Sequence, residues 1–252
     1  MMSTEHKPTI HKRTLVIGDI HGGLKALKEV LQKAEVTTKD KLIFLGDYVD
    51  GWSESPQVLE FLMKLRQTHD CVLLRGNHDE LLQHWLETDR YNEMWKLHGG
   101  EATIKAYEDV TAEKKIEHIE FLKTLENYYL DEENRLFVHA GFTNLKGVLH
   151  EYFPKSLYWD RTLWEMALAF NPLINRDSNH YPQRFLLYTE VFIGHTPVTR
   201  FDETIPVQKA NIWNIDTGAA FKGCLTIMDV DSKKFWQSSP VYSLYPAEQG
   251  RN

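Results

Sequence analysis

Six times along this chain a short apolar, β-branched run ends abruptly in Gly, Asp, Asn or His. The instances are TLVIGDIHG, KLIFLGDYVDG, CVLLRGNHDE, RLFVHAGF, VFIGHTP and IWNIDTGA. Runs of about four to six such residues, bounded by glycine, read as buried strands. Helical patterns separate the early ones. GLKALKEVLQKAE places Leu24, Leu27, Val30 and Leu31 on one face. SPQVLEFLMKLRQ offers Ser55 as N-cap and Pro56 at the first helical position, with Val58, Leu59, Leu62 and Leu65 inward. Strand, helix, strand, helix, strand predicts right-handed βαβ units and an α/β fold. The polar clusters then fall at the carboxyl ends of strands, where open α/β sheets place their ligand sites.

The chain has 252 residues, 42% of them hydrophobic, enough for a sizeable core. No Pro/Gly/Ser linker divides it. The expectation is a single domain over 1–252, with insertions at about 81–133 and 144–188 lying over the active face. The first insertion reads as helical, with KKIEHIEFLKTLENYY its clearest amphipathic part, and the second as irregular and aromatic-rich. LTIMDVDSKKFWQ reads as a hairpin. Lys plus Arg number 29 against 36 Asp plus Glu, a net charge of −7. That balance speaks against stable nucleic-acid binding, which needs a basic footprint. No segment approaches the ~20 apolar residues of a membrane span. MMSTEHKPTIHKR lacks the apolar stretch of a secretory signal, so a cytoplasmic protein is expected. Cys71 and Cys224 each lie in an apolar run and read as small core residues.

The polar residues at the strand ends are Asp19 and His21; Asp47 and Asp50; Asn77, His78 and Asp79; His139; His195; and Asp216. Any one of them alone is an ordinary turn or core residue. Packing does not call for Asp, Asn and His at one strand end after another, however. Carboxylate, amide oxygen and imidazole together suit Mn, Fe or Zn. The absence of cysteine from the set speaks against a closed structural zinc site.

Taken in order, GDIHG, GDYVDG, RGNHD, HAGF and GHTP resemble the signature blocks of the calcineurin-like metallophosphoesterases. More narrowly, they resemble the phosphoprotein phosphatase family and its bacterial serine/threonine phosphatase branch. WKLHGGEATIKAY and NIDTGAAF are also similar to that branch. The resemblance implies an αββα fold, a β-sandwich flanked by helices. It implies one metal ion on Asp19, His21 and Asp47, and a second on Asp47, Asn77, His139 and His195, with Asp47 as the bridge. Pro197 stands where the wider superfamily often has a further histidine, as in the narrower family.

Two divalent ions against two carboxylates leave a local charge of about +2, which suits a phosphate dianion. The implied reaction is direct hydrolysis of phosphate monoesters by a metal-bound hydroxide, of the protein serine/threonine phosphatase type. The expected ions are manganese in the first place, with iron or zinc as alternatives. His78 would protonate the leaving group, and Asp50 would orient it. Many family members carry a phosphate-gripping arginine after the second aspartate of GDYVDG; here that position is Gly51. Arg161, in SLYWDRTLWE, is the candidate substrate ligand in its place. The substrate is a phosphorylated protein or small phosphoester. Alternatives are a dinucleoside polyphosphate hydrolase and a metal-binding interaction module without catalysis.

Overall fold

The computed structural model describes residues 13–251. The stretch before Arg13, on which the secretory-signal expectation rests, lies outside the described residues. The first part of the chain runs β1 (Thr14–Ile17), α1 (Leu24–Lys33), β2 (Lys41–Phe44), α2 (Ser55–Leu65), β3 (Asp70–Leu73) and α3 (Asn77–Thr88). Seven strands follow: β4 (Tyr128–Leu130), β5 (Arg135–Val138), β6 (Glu190–Ile193), β7 (Val207–Lys209), β8 (Ile212–Asn214), β9 (Thr226–Asp229) and β10 (Phe235–Gln237).

They form two five-stranded mixed sheets, ordered β10-β9-β1-β2-β3 and β4-β5-β6-β8-β7. Parallel pairing joins β1, β2 and β3 in the first sheet and β5, β6 and β8 in the second. The near-continuous apolar character of the strands follows from burial on both faces. Val16 of β1, Ile43 of β2, Phe137 of β5 and Phe192 of β6 meet between the sheets. Their neighbours Leu15, Ile17, Leu42 and Phe44 turn outward under α1, α2 and the helix Ala112–Lys123. Leu136, Val138, Val191 and Ile193 do the same under the helix Thr162–Ala169. This period-two partition makes the αββα layering expected from the sequence.

Local structure departs from expectation in five places, one of them the helix Thr162–Ala169 inside the stretch 144–188 read as irregular. Ser55 is not the N-cap of α2; Glu54 is, and Ser55 opens the helix. Its hydroxyl is drawn instead into a buried network with Asp50 N (3.2 Å) and Thr103 Oγ1 (2.9 Å). The helical pattern of KKIEHIEFLKTLENYY stops at Lys123, because Tyr128–Leu130 pairs as β4 along β5. Strand β7 was not anticipated: VQK is too short and polar to show a pattern. Cys71 and Cys224 are half-buried rather than fully buried, and both are free thiols. The hairpin expected in LTIMDVDSKKFWQ is present as β9 and β10. No helix among the described residues is long and apolar enough to cross a membrane.

Candidate dinuclear metal centre

The six predicted ligands come together at one edge of the sandwich. Asp19 and His21 follow β1, Asp47 follows β2 and Asn77 follows β3, all in the first sheet. His139 follows β5 and His195 follows β6, in the second. The site therefore straddles the gap between the sheets. All six side chains are buried. To aim them inward, the backbone leaves each strand abruptly. His21, Asp47, Asp50 and His195 take φ values of 52°, 52°, 73° and 68°. Left-handed conformations of non-glycine residues are uncommon and tend to gather at functional sites. The loops also interlock closely: a Cβ at Gly194 would come within 2.0 Å of Asp19 Oδ1.

Hydrogen bonding behind the site fixes which atoms face into it. His139 Nδ1 lies 2.8 Å from Leu45 O, so this nitrogen donates to the carbonyl. Nε2 is the nitrogen left for the centre, where it faces Asp47 Oδ2 at 3.4 Å and Asn77 Oδ1 at 3.3 Å. His21 repeats the arrangement. Its Nδ1 lies 3.0 Å from Val49 O and 3.1 Å from Asp50 O. Its Nε2 faces Asp47 Oδ2 at 3.7 Å and Asp19 Oδ2 at 3.9 Å. Bonds of about 2.0–2.2 Å to one ion put neighbouring ligand atoms roughly 3–4 Å apart, as here. Two sets of ligand-type atoms thus converge on two points and share Asp47 Oδ2. The remaining polar atoms suit a cation at this point: Asp19 Oδ1 and His195 Nε2 are buried without a hydrogen-bond partner. His195 is held by its backbone N–H, which donates to Asp19 Oδ2 (2.9 Å), and by contact of Nδ1 with Asn77 Oδ1 (2.8 Å). The donor set fits two divalent ions.

The titration of these groups shows the strain of crowding them together. Burial, with Asp216 nearby, pushes the Asp19 carboxyl well above the carboxylate range. Burial also presses Asp47 upward, but His139, His78 and His21 outweigh it and hold Asp47 well below that range. Burial opposes the charge on His139, while Asp47, Asp19 and Asp79 favour it and bring its pKa up to about 9. His21 and His195 are driven well below the usual imidazole value, chiefly by burial and then by neighbouring Arg251 and His139 respectively. A proton on His139 and a cation at its Nε2 are alternative answers to the same cluster of acceptors.

Beside the ligands, His78 Nδ1 contacts Asp50 Oδ2 at 2.6 Å. Trp95 Nε1–H donates to the same oxygen (2.5 Å). Thr103 Oγ1 accepts from Asp50 N at 3.0 Å. With Nδ1 so committed, Nε2 of His78 is the nitrogen left for the cavity that this residue lines. His78 also has a ring nitrogen close to His21 and Asp47, but its bond to Asp50 sets it apart from the six acceptors. Asp79, the third residue of α3, works behind the site. Its carboxylate accepts from Asp47 N and Gly76 N (2.8 Å each) and Tyr48 N (2.9 Å). Burial and Asp47 raise its pKa to about 7. Asp216 is buried against the centre, and burial raises it to about 6.

A cavity of about 320 Å³ opens over Asp47, Asn77, His78 and His195. Arg161 reaches it, its Nη1 donating to Thr196 Oγ1 (2.8 Å). The expected substrate arginine is thus beside the centre. Sequence reasoning missed three other lining residues, Trp95, Arg200 and Arg251. Trp95 sits in the noted WKLHGG block, but nothing in it signals a partner in Asp50. Arg251 is 230 residues from His21, with no motif around it.

The sequence matches the calcineurin-like phosphoesterase family over residues 12–199. It is 26% identical over 237 residues to the asymmetrical bis(5'-nucleosyl)-tetraphosphatase PrpE of Oceanobacillus iheyensis, covering 87% of this chain and 89% of that one. It is also 26% identical over 221 residues to serine/threonine-protein phosphatase 1 of Salmonella typhimurium, covering 84% and 89%. In fold it is similar to a protein serine/threonine phosphatase from Saccharomyces cerevisiae with similarity to human phosphatase PP5. That match has a TM-score of 0.57 at 15% identity and covers 92% of this chain and 81% of that one. With its candidate ligand loops on five strand ends and a family match over most of its length, the chain belongs to the calcineurin-like phosphoesterases, among relatives of the phosphoprotein phosphatase type.

Proposed function

We propose that this phosphoesterase hydrolyses dinucleoside polyphosphates, splitting a phosphoric anhydride bond. The observation that carries the reading is the cavity wall. Three arginines, Arg161, Arg200 and Arg251, line the space over the metal centre together with Met94, Trp95, Trp159 and Phe221. Two metal ions and one or two arginines suffice to grip a single phosphoryl group, so a third arginine on the wall is surplus to a monoester. A chain of phosphates carries charge further out, and planar apolar walls suit a nucleobase. The bis(5'-nucleosyl)-tetraphosphatases among the relatives support the same choice over the phosphate-monoester reading expected from the sequence.

In this reading Asp19, His21, Asp47, Asn77, His139 and His195 hold two divalent ions, with manganese the first to try. Bound there, the ions supply Lewis-acid polarisation of a phosphoryl oxygen and activation of water. The chain's own residues do the rest. Arg161 and Arg200 orient the polyphosphate. Water oxygen joins phosphorus and releases one proton to solvent, the bridging P–O bond breaks, and His78 delivers a proton from Nε2 to the departing oxygen and regains one from solvent. Asp50 holds the ring through Nδ1, and Trp95 holds Asp50. The chain acts as one catalytic unit, with residues of 81–133 (Met94, Trp95, His98) and 144–188 (Trp159, Arg161) covering the active face.

A protein serine/threonine phosphatase is the second reading, favoured by the Salmonella relative. A panel of diadenosine tetraphosphate, p-nitrophenyl phosphate and phosphoserine or phosphothreonine peptides, assayed with Mn²⁺, decides between them. The tetraphosphate should show a kcat/KM at least about tenfold above the peptides. The reverse order would return the protein-phosphatase reading, and no turnover of any of them would sink both.

A further inference from the structure

The four residues after Asp50 all hold one distant segment, Tyr245–Arg251. Gly51 N donates to Gly99 O (3.1 Å), and the two glycines, at φ +113° and +105°, form a bare floor. Across it runs the Arg251 side chain: a Cβ on Gly51 would lie 3.3 Å from Arg251 Cγ, and one on Gly99 would lie 2.8 Å from it. Trp52 stacks on Tyr245 (5.3 Å between centroids), donates Nε1–H to Ala219 O (2.8 Å) and presses its ring against Gly250. Ser53 donates from N and Oγ to the Glu248 carboxylate (2.9 and 2.7 Å). Glu54 accepts from the Tyr245 hydroxyl. Arg251 N donates to Ala220 O (2.9 Å), which fixes the backbone from the other side.

All this bracing delivers one guanidinium. Arg251 Nη1 stands 3.5 Å from His21 Nε2, the nitrogen turned towards the candidate metal position, and the group packs over Phe221. It lines the cavity with Asp47, Asn77, His78 and His195. Among the described residues no ion pair to a carboxylate is formed by it, although the buried Asp216 feels its charge. A guanidinium and a bound dication aimed at one point repel each other strongly in a buried site. An anion shared between them turns that repulsion into two attractions. Arginine suits a phosphate in particular, because its planar fork meets two oxygens at once.

We propose that Arg251 is the phosphate ligand that position 51 does not supply, carried in from the Tyr245–Arg251 segment over the Gly51–Gly99 floor. This rests on the reading of the centre as a phosphate-hydrolysing one. Gly51 then suits this arrangement and is not simply a loss. A side chain there would crowd the stem of Arg251 and strain a backbone at φ +113°, so the glycine and the remote arginine form one device.

The test is equilibrium binding of inorganic phosphate to Mn²⁺-loaded protein by calorimetry, with bound manganese measured alongside. Arg251→Met keeps the apolar stem over the glycines and removes the charge. Arg251→Lys keeps a charge without the fork. The expected result is phosphate affinity reduced about tenfold or more in Arg251→Met, an intermediate loss in Arg251→Lys, and manganese content equal to the parent protein. Parent-like phosphate affinity in Arg251→Met would overturn the proposal. So would loss of manganese from that variant, which would make Arg251 a support of the metal loops. Because no turnover is measured, failure of the substrate panel leaves this result readable.

Discussion

At the scale of the residue, the pairing of His78 with Asp50 is the arrangement most open to kinetic test. Nδ1 is tied to a buried carboxylate that also accepts from Trp95, so the ring cannot rotate without breaking a fixed contact. The value of a proton donor depends on what leaves. A serine alkoxide is a poor leaving group, whereas a nucleotide phosphate or p-nitrophenolate departs with little help. His78→Asn should therefore lower kcat by about 10²–10⁴-fold on a phosphoserine peptide. The loss should be clearly smaller on diadenosine tetraphosphate and p-nitrophenyl phosphate, with bound manganese unchanged. An equal loss on every substrate would place His78 in substrate or metal positioning instead. His78 was legible in the sequence because GNHD is a contiguous block. Trp95 was not, since its partner lies 45 positions away and indole donors are common in cores.

At the scale of the element, α3 supplies more than Asn77 and His78. Its third residue, Asp79, closes three backbone N–H groups, two of them in the loop that presents Asp47 and one at Gly76 just before the helix. One carboxylate thus locks the β2 and β3 loops together. From sequence alone Asp79 could be given only a structural or supporting role, because two of its three donors belong to another loop. Asp79→Ala would leave three buried donors unsatisfied and should cost about 3 kcal/mol or more in urea unfolding. Manganese affinity should fall with it, since the Asp47 loop loses its anchor. A variant of parent stability and parent metal affinity would show that water replaces the carboxylate without penalty.

At the scale of the whole molecule, the candidate centre depends on how the sheets face each other. The first sheet brings Asp19, His21, Asp47 and Asn77, and the second brings His139 and His195. Their separation is set by the apolar layer between them, where Phe137 and Phe192 stack at 4.9 Å. These two rings precede His139 and His195 on the strands that carry them. Phe192→Ala should cost about 3–5 kcal/mol of stability. The folded variant should also bind manganese more weakly than a variant of equal instability in the outer helix layer, such as Leu163→Ala. Equal metal affinity in the two would show that the loops fix the site independently of the sandwich.

The sequence by itself determined the strands that carry the candidate site and the residues at their ends, though not β4 or β7. That information is local: a buried strand shows as an apolar run, and the ligand loop follows at once. GDIHG, GDYVDG, RGNHD, HAGF and GHTP could therefore be read without knowing what lay across from them. Only the tertiary structure decided which nitrogen of His21 and of His139 faces the centre, because carbonyls of Leu45, Val49 and Asp50, outside each histidine's own motif, hold the other one. It also decided that Arg251 stands beside Gly51. Side chains separated by 200 residues meet only when the chain closes, and no local pattern records that meeting.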